Sequence, residues 1–386
     1  MPDYRVSPLV QELPATVPFV GPETQERNQG YLFKARIGAN ESVFGPSPNA
    51  IQAMADAASE SWMYGDPEFH DLREDLAAHH QVEPRNIMVG EGIDGMLGYV
   101  ARMFLQPGDT VVTSAGAYPT FNYHVNGYGG KLEFVPYRDD REDLDALIQK
   151  AAQLQARLIY VSNPDNPMGS WWDAQSIESI TKQIPENCLL ILDEAYGEFA
   201  PAGTLPPLDL ENQRLLRMRT FSKAYGLAGM RVGYAIGNAE LILEFNKIRN
   251  HFGVGRVAQA AARAALKDQA HLQRVLTQVK HSLETLREIT VENGLMPLPT
   301  ASNFLTIDCG KDGAFAAALM QSLIGKGIFV RMPGVSPLNR CIRITAGLPE
   351  ELQILAETLP EALKDCLLYT SPSPRDRTRS RMPSSA

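Results

Sequence analysis

Seven short apolar runs punctuate the chain from residue 86 onward: NIMVG, TVVTSA, KLEFVPY, RLIYVSNP, CLLILDEAY, LRMRTFSK and VGYAIGN, all bounded by turn residues. Their apolar positions follow neither a period of two nor one of 3.6, the pattern of strands buried on both faces. Helix-like segments at 94–105, 142–154 and 174–184 lie between several of them. Strands and helices alternating in this way predict an α/β fold whose largely parallel sheet is wrapped by helices. From 239 to about 293 the pattern is mostly helical. After 300 the runs SNFLTID, IFVRM and CIRITAG, with the helical segments DGAFAAALMQSLIGKG and PEELQILAETLPEALKD, predict a second, smaller α+β domain. A length of 386 residues is also more than one core usually serves.

Charge and composition exclude several function classes. A formal net charge of −9 argues against binding nucleic acid through its phosphates, which demands an excess of Lys and Arg. The first twenty residues lack a basic start followed by an apolar core, and no charge-free apolar run approaches 18 residues, so neither secretion nor a membrane span is expected. Cys188, Cys309, Cys341 and Cys366 are scattered without a CxxC pair. That spacing suggests no disulfide framework and no metal site, and it fits a reducing cytoplasm.

The last stretch, CLLYTSPSPRDRTRSRMPSSA, breaks abruptly with the helical pattern before it. CLLYTSPSPRD and SRMPSSA resemble in-frame translations of the two ends of a transposase-type sequencing adapter, so residues 366–386 are expected to be disordered and foreign to the protein. Four Arg and one Asp leave with them, which shifts the net charge from −9 to −12.

Residues 90–95 read GEGIDG, a G-x-G-x-x-G spacing directly after a strand and at the start of a helix. The next run, TVVTSA, has no acidic residue for a ribose, which argues against a dinucleotide site. A glycine-rich turn feeding a helix N-terminus still receives an anion through free N–H groups and the helix dipole, so a phosphate is expected near Gly92, Ile93 and Asp94. Further segments converge on the same edge. SNPDNPMG sets Asn166 after one strand, DEAYGEF sets Asp193 and Tyr196 after the next, and TFSKAYGLAGMRVGY sets Ser222, Lys223 and Arg231 after another. In an open α/β sheet ligands bind beyond the carboxyl ends of the strands, so an amide, a carboxylate, a phenol, an amine and a guanidinium face one crevice.

Together with IGANESVFGPSP, YGDPEFHDLREDLA and CIRITAG, this ordered set resembles the class I/II aminotransferases, pyridoxal-phosphate (PLP) enzymes of fold type I, and within them the histidinol-phosphate aminotransferase branch. The likeness runs from about residue 36 to 365. It implies a large domain with a mainly parallel seven-stranded sheet and a smaller α+β domain: an N-terminal arm over 1–45 packing with the small domain, a PLP-binding domain over 46–250 and a substrate-closing domain over 251–365.

The resemblance also implies roles. Lys223 carries PLP as a Schiff base and then moves the Cα proton, which calls for a depressed pKa. Asp193 binds the pyridine nitrogen, and Asn166 and Tyr196 bind the ring's O3′. Gly92, Ile93 and Asp94 receive the phosphate with Ser222 and Arg231, and Tyr64 reaches it from a neighbouring subunit, which implies a homodimer with shared sites. Phe121, in AYPTF, stacks on the ring. Arg343 takes the substrate carboxylate, with Arg331 and Asn40 also on the substrate side. An amino donor and a 2-oxo acid such as 2-oxoglutarate are the implied small-molecule partners.

The chain departs from the branch at Met168, where a hydroxyl residue is usual, at Gly95, and at NHFGVGR, where His251, Gly253 and Gly255 replace a Pro and two Asn; Phe19 stands for a Tyr. These changes are compatible with an aromatic amino donor in place of histidinol phosphate. A threonine-phosphate-type decarboxylase shares most of the site residues. A transcription regulator built on this fold needs a DNA-binding module that the roughly 35 residues before the first motif are too few to form.

Overall fold

The computed structural model describes residues 5–15 and 20–370; Phe19 and residues 371–386 of the tail lie outside them. The seven runs form one sheet: β1 (Ile87–Gly90), β2 (Thr110–Ser114), β3 (Lys131–Val135), β4 (Leu158–Ser162), β5 (Leu189–Asp193), β6 (Leu215–Thr220) and β7 (Gly233–Gly237). Their order is β1-β7-β6-β5-β4-β2-β3. Only β7 runs against its neighbours. The carboxyl ends of β1, β2, β4, β5 and β6 therefore share one edge, at Gly90, Ser114, Ser162, Asp193 and Thr220.

Helices cover both faces, which is why the strands read as continuous apolar runs. Val100, Leu97 and Met96 of one helix (Gly92–Phe104) pack on one face with Tyr160 and Ile191. Leu147, Ile148, Ile177 and Ile180 pack on the other with Ile159 and Leu190. Local chemistry starts the helices: Asp143 accepts from Ala146 N at 3.1 Å and Asp173 from Ser176 N at 2.8 Å, each satisfying a donor the first turn leaves free.

A smaller unit holds the antiparallel strands β8 (Met296–Pro297), β9 (Phe304–Asp308) and β10 (Cys341–Thr345), with β9 between the other two. Its core unites Leu305, Ile342 and Leu319 with Ala35 and Ile37 from the N-terminal segment. Ala35–Arg36 pairs in parallel with Ile328–Phe329.

Two boundaries differ from expectation. The helix Arg256–Lys267, expected in the small domain, packs on Pro48–Ala58 and His70–His80 of the large one. Its face of Ala258, Ala261, Ala262 and Ala265 recurs at helical spacing and admits close approach. The following helix, Gln269–Glu292, crosses between units: Leu272 lies in the large core, and Leu286 and Ile289 in the small one. Disorder was expected from residue 366, yet the last helix runs Pro349–Thr370 and Cys366 is buried in the small core. Leu367 and Leu368 are good helix formers and the next proline is Pro372, so nothing in the residue types stops the helix earlier.

Candidate functional site

Where the strand ends meet the small unit, a crevice opens with about 830 Å³ of empty space, the open solvent at its mouth included. The large unit contributes Ile93, Asp94, Asn166, Asp193, Tyr196, Ser222, Lys223 and Arg231, and Asn40 and Arg343 close it from the other side.

Asp193 is the last residue of β5 and is buried. Oδ2 accepts from Tyr160 OH at 2.7 Å and Oδ1 from Ala195 N at 2.9 Å. Burial pushes its pKa up to about 6, while those two donors and Lys223 pull the other way. Lys223 Nζ donates to Asn40 O at 3.0 Å. Burial first, and then the positive charges of Arg343 and Arg231, pull its pKa down to about 8 against Glu41 and Asp193. Asn40 holds a left-handed backbone (φ 56°) and donates through Nδ2 to Tyr196 OH at 2.9 Å. Its own Oδ1 accepts from Thr345 Oγ1 at 3.1 Å, and its carbonyl from Asn303 Nδ2 at 3.1 Å. Burial lifts the Tyr196 phenol well above its usual range.

The glycine-rich turn forms the crevice rim. Gly92 has φ +74°, and a Cβ there would lie 2.5 Å from Arg231 Nη2, so only glycine allows the guanidinium to lie against the helix start. No side chain caps that helix, which leaves N–H donors of its first turn without a side-chain acceptor. Arg231 Nη1 donates to Ser222 Oγ at 3.2 Å and Ala228 O at 3.0 Å. Asp94 pairs with His124 at 2.8 Å. Across the crevice Arg343 Nη1 donates to Asn166 Oδ1, and its buried Nε has no partner among the described residues.

Two expected residues lie outside the crevice lining, and Tyr64, expected at a neighbouring subunit's site, lies on the surface. Phe121 does not line the crevice: it is fully buried and stacks on Tyr160, with ring centroids 4.7 Å apart and planes 18° apart. Pro119 starts a helix there (Pro119–Gly127), turning Phe121 into the core, and the cap residue Tyr118 faces the crevice instead. Arg331 pairs its backbone with Arg343 and sends Nη2 to Val20 O, outside the crevice lining. Tyr64 is 79% exposed, its ring 4.8 Å from that of Phe252. Met168, where the family carries a hydroxyl residue, does more than fill a turn: it is buried against Leu338 and Cys341 of the small unit.

Sequence reasoning missed Tyr118, Tyr160 and Thr345. The first two carried a signal. Tyr118 precedes a proline that marks a helix start, and a phenol inside a doubly buried strand, as at Tyr160, needs a polar partner at the strand's end.

The family model described as aminotransferase class I and II matches residues 34–359. A histidinol-phosphate aminotransferase of Geobacillus sp. (strain WCH70) is 34% identical over 364 residues, covering 94% of this chain and 99% of that protein. Histidinol-phosphate aminotransferase 1 of Bacillus anthracis is 33% identical, covering 94% and 97%. Among solved structures, histidinol-phosphate aminotransferase from Sinorhizobium meliloti in complex with pyridoxal-5'-phosphate is 50% identical with a TM-score of 0.91, covering 94% of this chain and 98% of that one. An L-threonine-O-3-phosphate decarboxylase from Porphyromonas gingivalis, 19% identical with a TM-score of 0.73, shares the fold.

Proposed function

The chain belongs to the class I and II aminotransferases, and from that premise we propose that it moves the amino group of histidinol phosphate to 2-oxoglutarate, with PLP in the crevice and Lys223 as its covalent attachment point. The observation that carries this reading is an amine held near pKa 8 in the same crevice as a buried carboxylate and an arginine-backed helix start. Similarity at 50% identity to a histidinol-phosphate aminotransferase supports the choice of donor.

The residues present suit the cofactor. The Gly92 turn, the uncapped first helical turn, Ser222 and Arg231 form an anion cradle. Bound there, PLP supplies an aldehyde that bonds amines and a ring that takes up the electrons left when the substrate's Cα gives up its proton. Asp193, fixed by Tyr160 and Ala195 N, holds a proton at the ring nitrogen. Tyr118 takes the stacking role expected of Phe121. Tyr196 and Asn166 serve the ring hydroxyl, each already oriented, by Asn40 and Arg343. Lys223 acts as the base that carries the Cα proton; its depressed pKa leaves a useful neutral fraction near pH 7. Arg343 offers its unpartnered Nε to the carboxylate of 2-oxoglutarate and, in the other half-reaction, to the donor's phosphate, which histidinol phosphate carries on the carbon that replaces a carboxylate. Arg331, joined to Arg343 through the backbone, would reach that anion only by turning its guanidinium away from Val20 O. Tyr64 serves the phosphate of a second subunit.

Spectra and product analysis test the reading. Glutamate alone should convert the visible band of the bound cofactor, at roughly 410–430 nm, to the amine form, and 2-oxoglutarate should restore it. Histidinol phosphate should do the same. Release of carbon dioxide from threonine phosphate, with no response to glutamate, would instead establish the decarboxylase.

A further inference from the structure

Beneath the crevice lie two carboxyl groups with no salt bridge to either among the described residues. Glu142 follows β3 and Asp165 sits between Pro164 and Asn166; each is 2% exposed. Glu142 Oε2 accepts from Ser114 Oγ at 2.6 Å and Oε1 from Ser162 N at 2.9 Å. Asp165 Oδ1 accepts from Tyr137 OH at 2.8 Å and Oδ2 from Met168 N at 3.0 Å. Between them stands Ser162 Oγ, 3.1 Å from Glu142 Oε1 and 3.2 Å from Asp165 Oδ1.

One hydroxyl carries one proton. With both carboxyls ionised, one of those two contacts would set a lone pair against a buried carboxylate, and two like charges would share a dry site. A single added proton removes both costs. The surroundings say where it belongs. Asp165 faces Tyr137, two backbone N–H groups and the positive field of Arg343, whereas Glu142 faces serines, the Ser162 N–H, the charge of Asp165 and the Tyr137 and Tyr160 phenols. Burial and the charge of Asp165 raise Glu142 well above the usual carboxylate range, and burial raises Asp165.

We propose that Glu142 is a neutral carboxylic acid that donates to Ser162 Oγ, that Ser162 in turn donates to an ionised Asp165, and that this relay positions Asn166 in the crevice. Asp165 grips the turn after Asn166 through Met168 N, and its backbone N–H reaches Ser170 O at 2.8 Å. Glu142 ties that turn to the ends of β2 and β4. Glu142 is thus a positioning residue, and the positioning part of the proposal rests on the role given to Asn166 above.

Infrared difference spectroscopy of the purified holoenzyme tests the proton directly. At neutral pH the wild type minus Glu142→Gln spectrum should show a protonated-carboxyl C=O stretch, which the wild type loses only at alkaline pH, because burial and Asp165 raise this group. Glu142→Gln, which keeps a neutral donor, should hold kcat at pH 7 within about threefold, whereas Glu142→Leu should lower it roughly tenfold. The wild type's loss of rate through this group at alkaline pH should be absent in Glu142→Gln. A band that survives Glu142→Gln, a band shifted by carbon-13 labelling of aspartate and not of glutamate side-chain carboxyls, or equal kcat losses for Gln and Leu would overturn the assignment. Should Glu142→Leu fail to fold, the infrared band and the Gln variant still decide. Failure of the transaminase reading shows separately, as absence of turnover in the wild type, and leaves the band untouched.

Discussion

Lys223 and Asp193 are tuned in opposite directions by the same cause. Burial disfavours the charged form of each, lowering the amine and raising the acid, and their mutual attraction limits both shifts. Only the neutral amine bonds an aldehyde, so the rate at which apoprotein captures PLP should climb with pH and level off above about 8, measured by growth of the visible band. A rate still rising steeply above pH 9.5 or so would mean an amine closer to its ordinary pKa. Lys223→Ala should abolish both the band and turnover while the fold persists; a borohydride-reducible cofactor adduct on another lysine would refute the assignment. Gly92→Ala combines a strained φ with contact at 2.5 Å to Arg231. The strained φ should lower the urea midpoint by about 1–2 kcal/mol of stability, and displacement of the Arg231 guanidinium should weaken PLP affinity by about tenfold. At this scale the sequence was legible wherever a side chain's position follows from a strand end, as for Asp193, Lys223 and Asn166. It misled at Phe121, because a shift of three residues across a helix start exchanges crevice for core. Which aromatic faces outward depends on where Pro119 begins the helix.

At the scale of elements, the short apolar runs disclosed the sheet because burial on both faces leaves a mark in every residue of a strand. The helix Arg256–Lys267 left a weaker mark. Its alanine stripe indicates close packing but names no partner, and only the structure joins it to Pro48–Ala58. That intimacy makes the stripe intolerant of volume. Ala261 is fully buried at the contact, so Ala261→Leu should cost about 1–3 kcal/mol through overpacking. A lowered urea midpoint with the cofactor spectrum unchanged is the expected result. If the variant were as stable as wild type, the two helices would not be in the contact seen here. The helix Gln269–Glu292 then carries the chain from the large core into the small one, so the division between units falls inside a helix, where no turn residue could announce it.

The whole molecule presents a face that one chain leaves unused. Trp62 is 82% exposed, Tyr64 79% and Phe252 51%, on segments that flank the same helices. Exposed aromatics gathered in this way mark an interaction surface, and under the role proposed for Tyr64 at a second subunit's phosphate site its partner would be another copy of the chain. Sedimentation should therefore give about twice the 42.5 kDa chain mass, and Trp62→Asp combined with Tyr64→Asp should shift it toward one chain with loss of bound PLP. Sharing of sites can be separated from mere association by mixing. Lys223→Ala disables the site of its own chain, while Tyr64→Ala impairs the site of its neighbour. In a hybrid dimer both lesions fall on one site and the other is intact, so two variants of low activity should regain turnover after unfolding and refolding together. If each chain completed its own site, the hybrid would carry one lesion per site, and mixing would restore nothing.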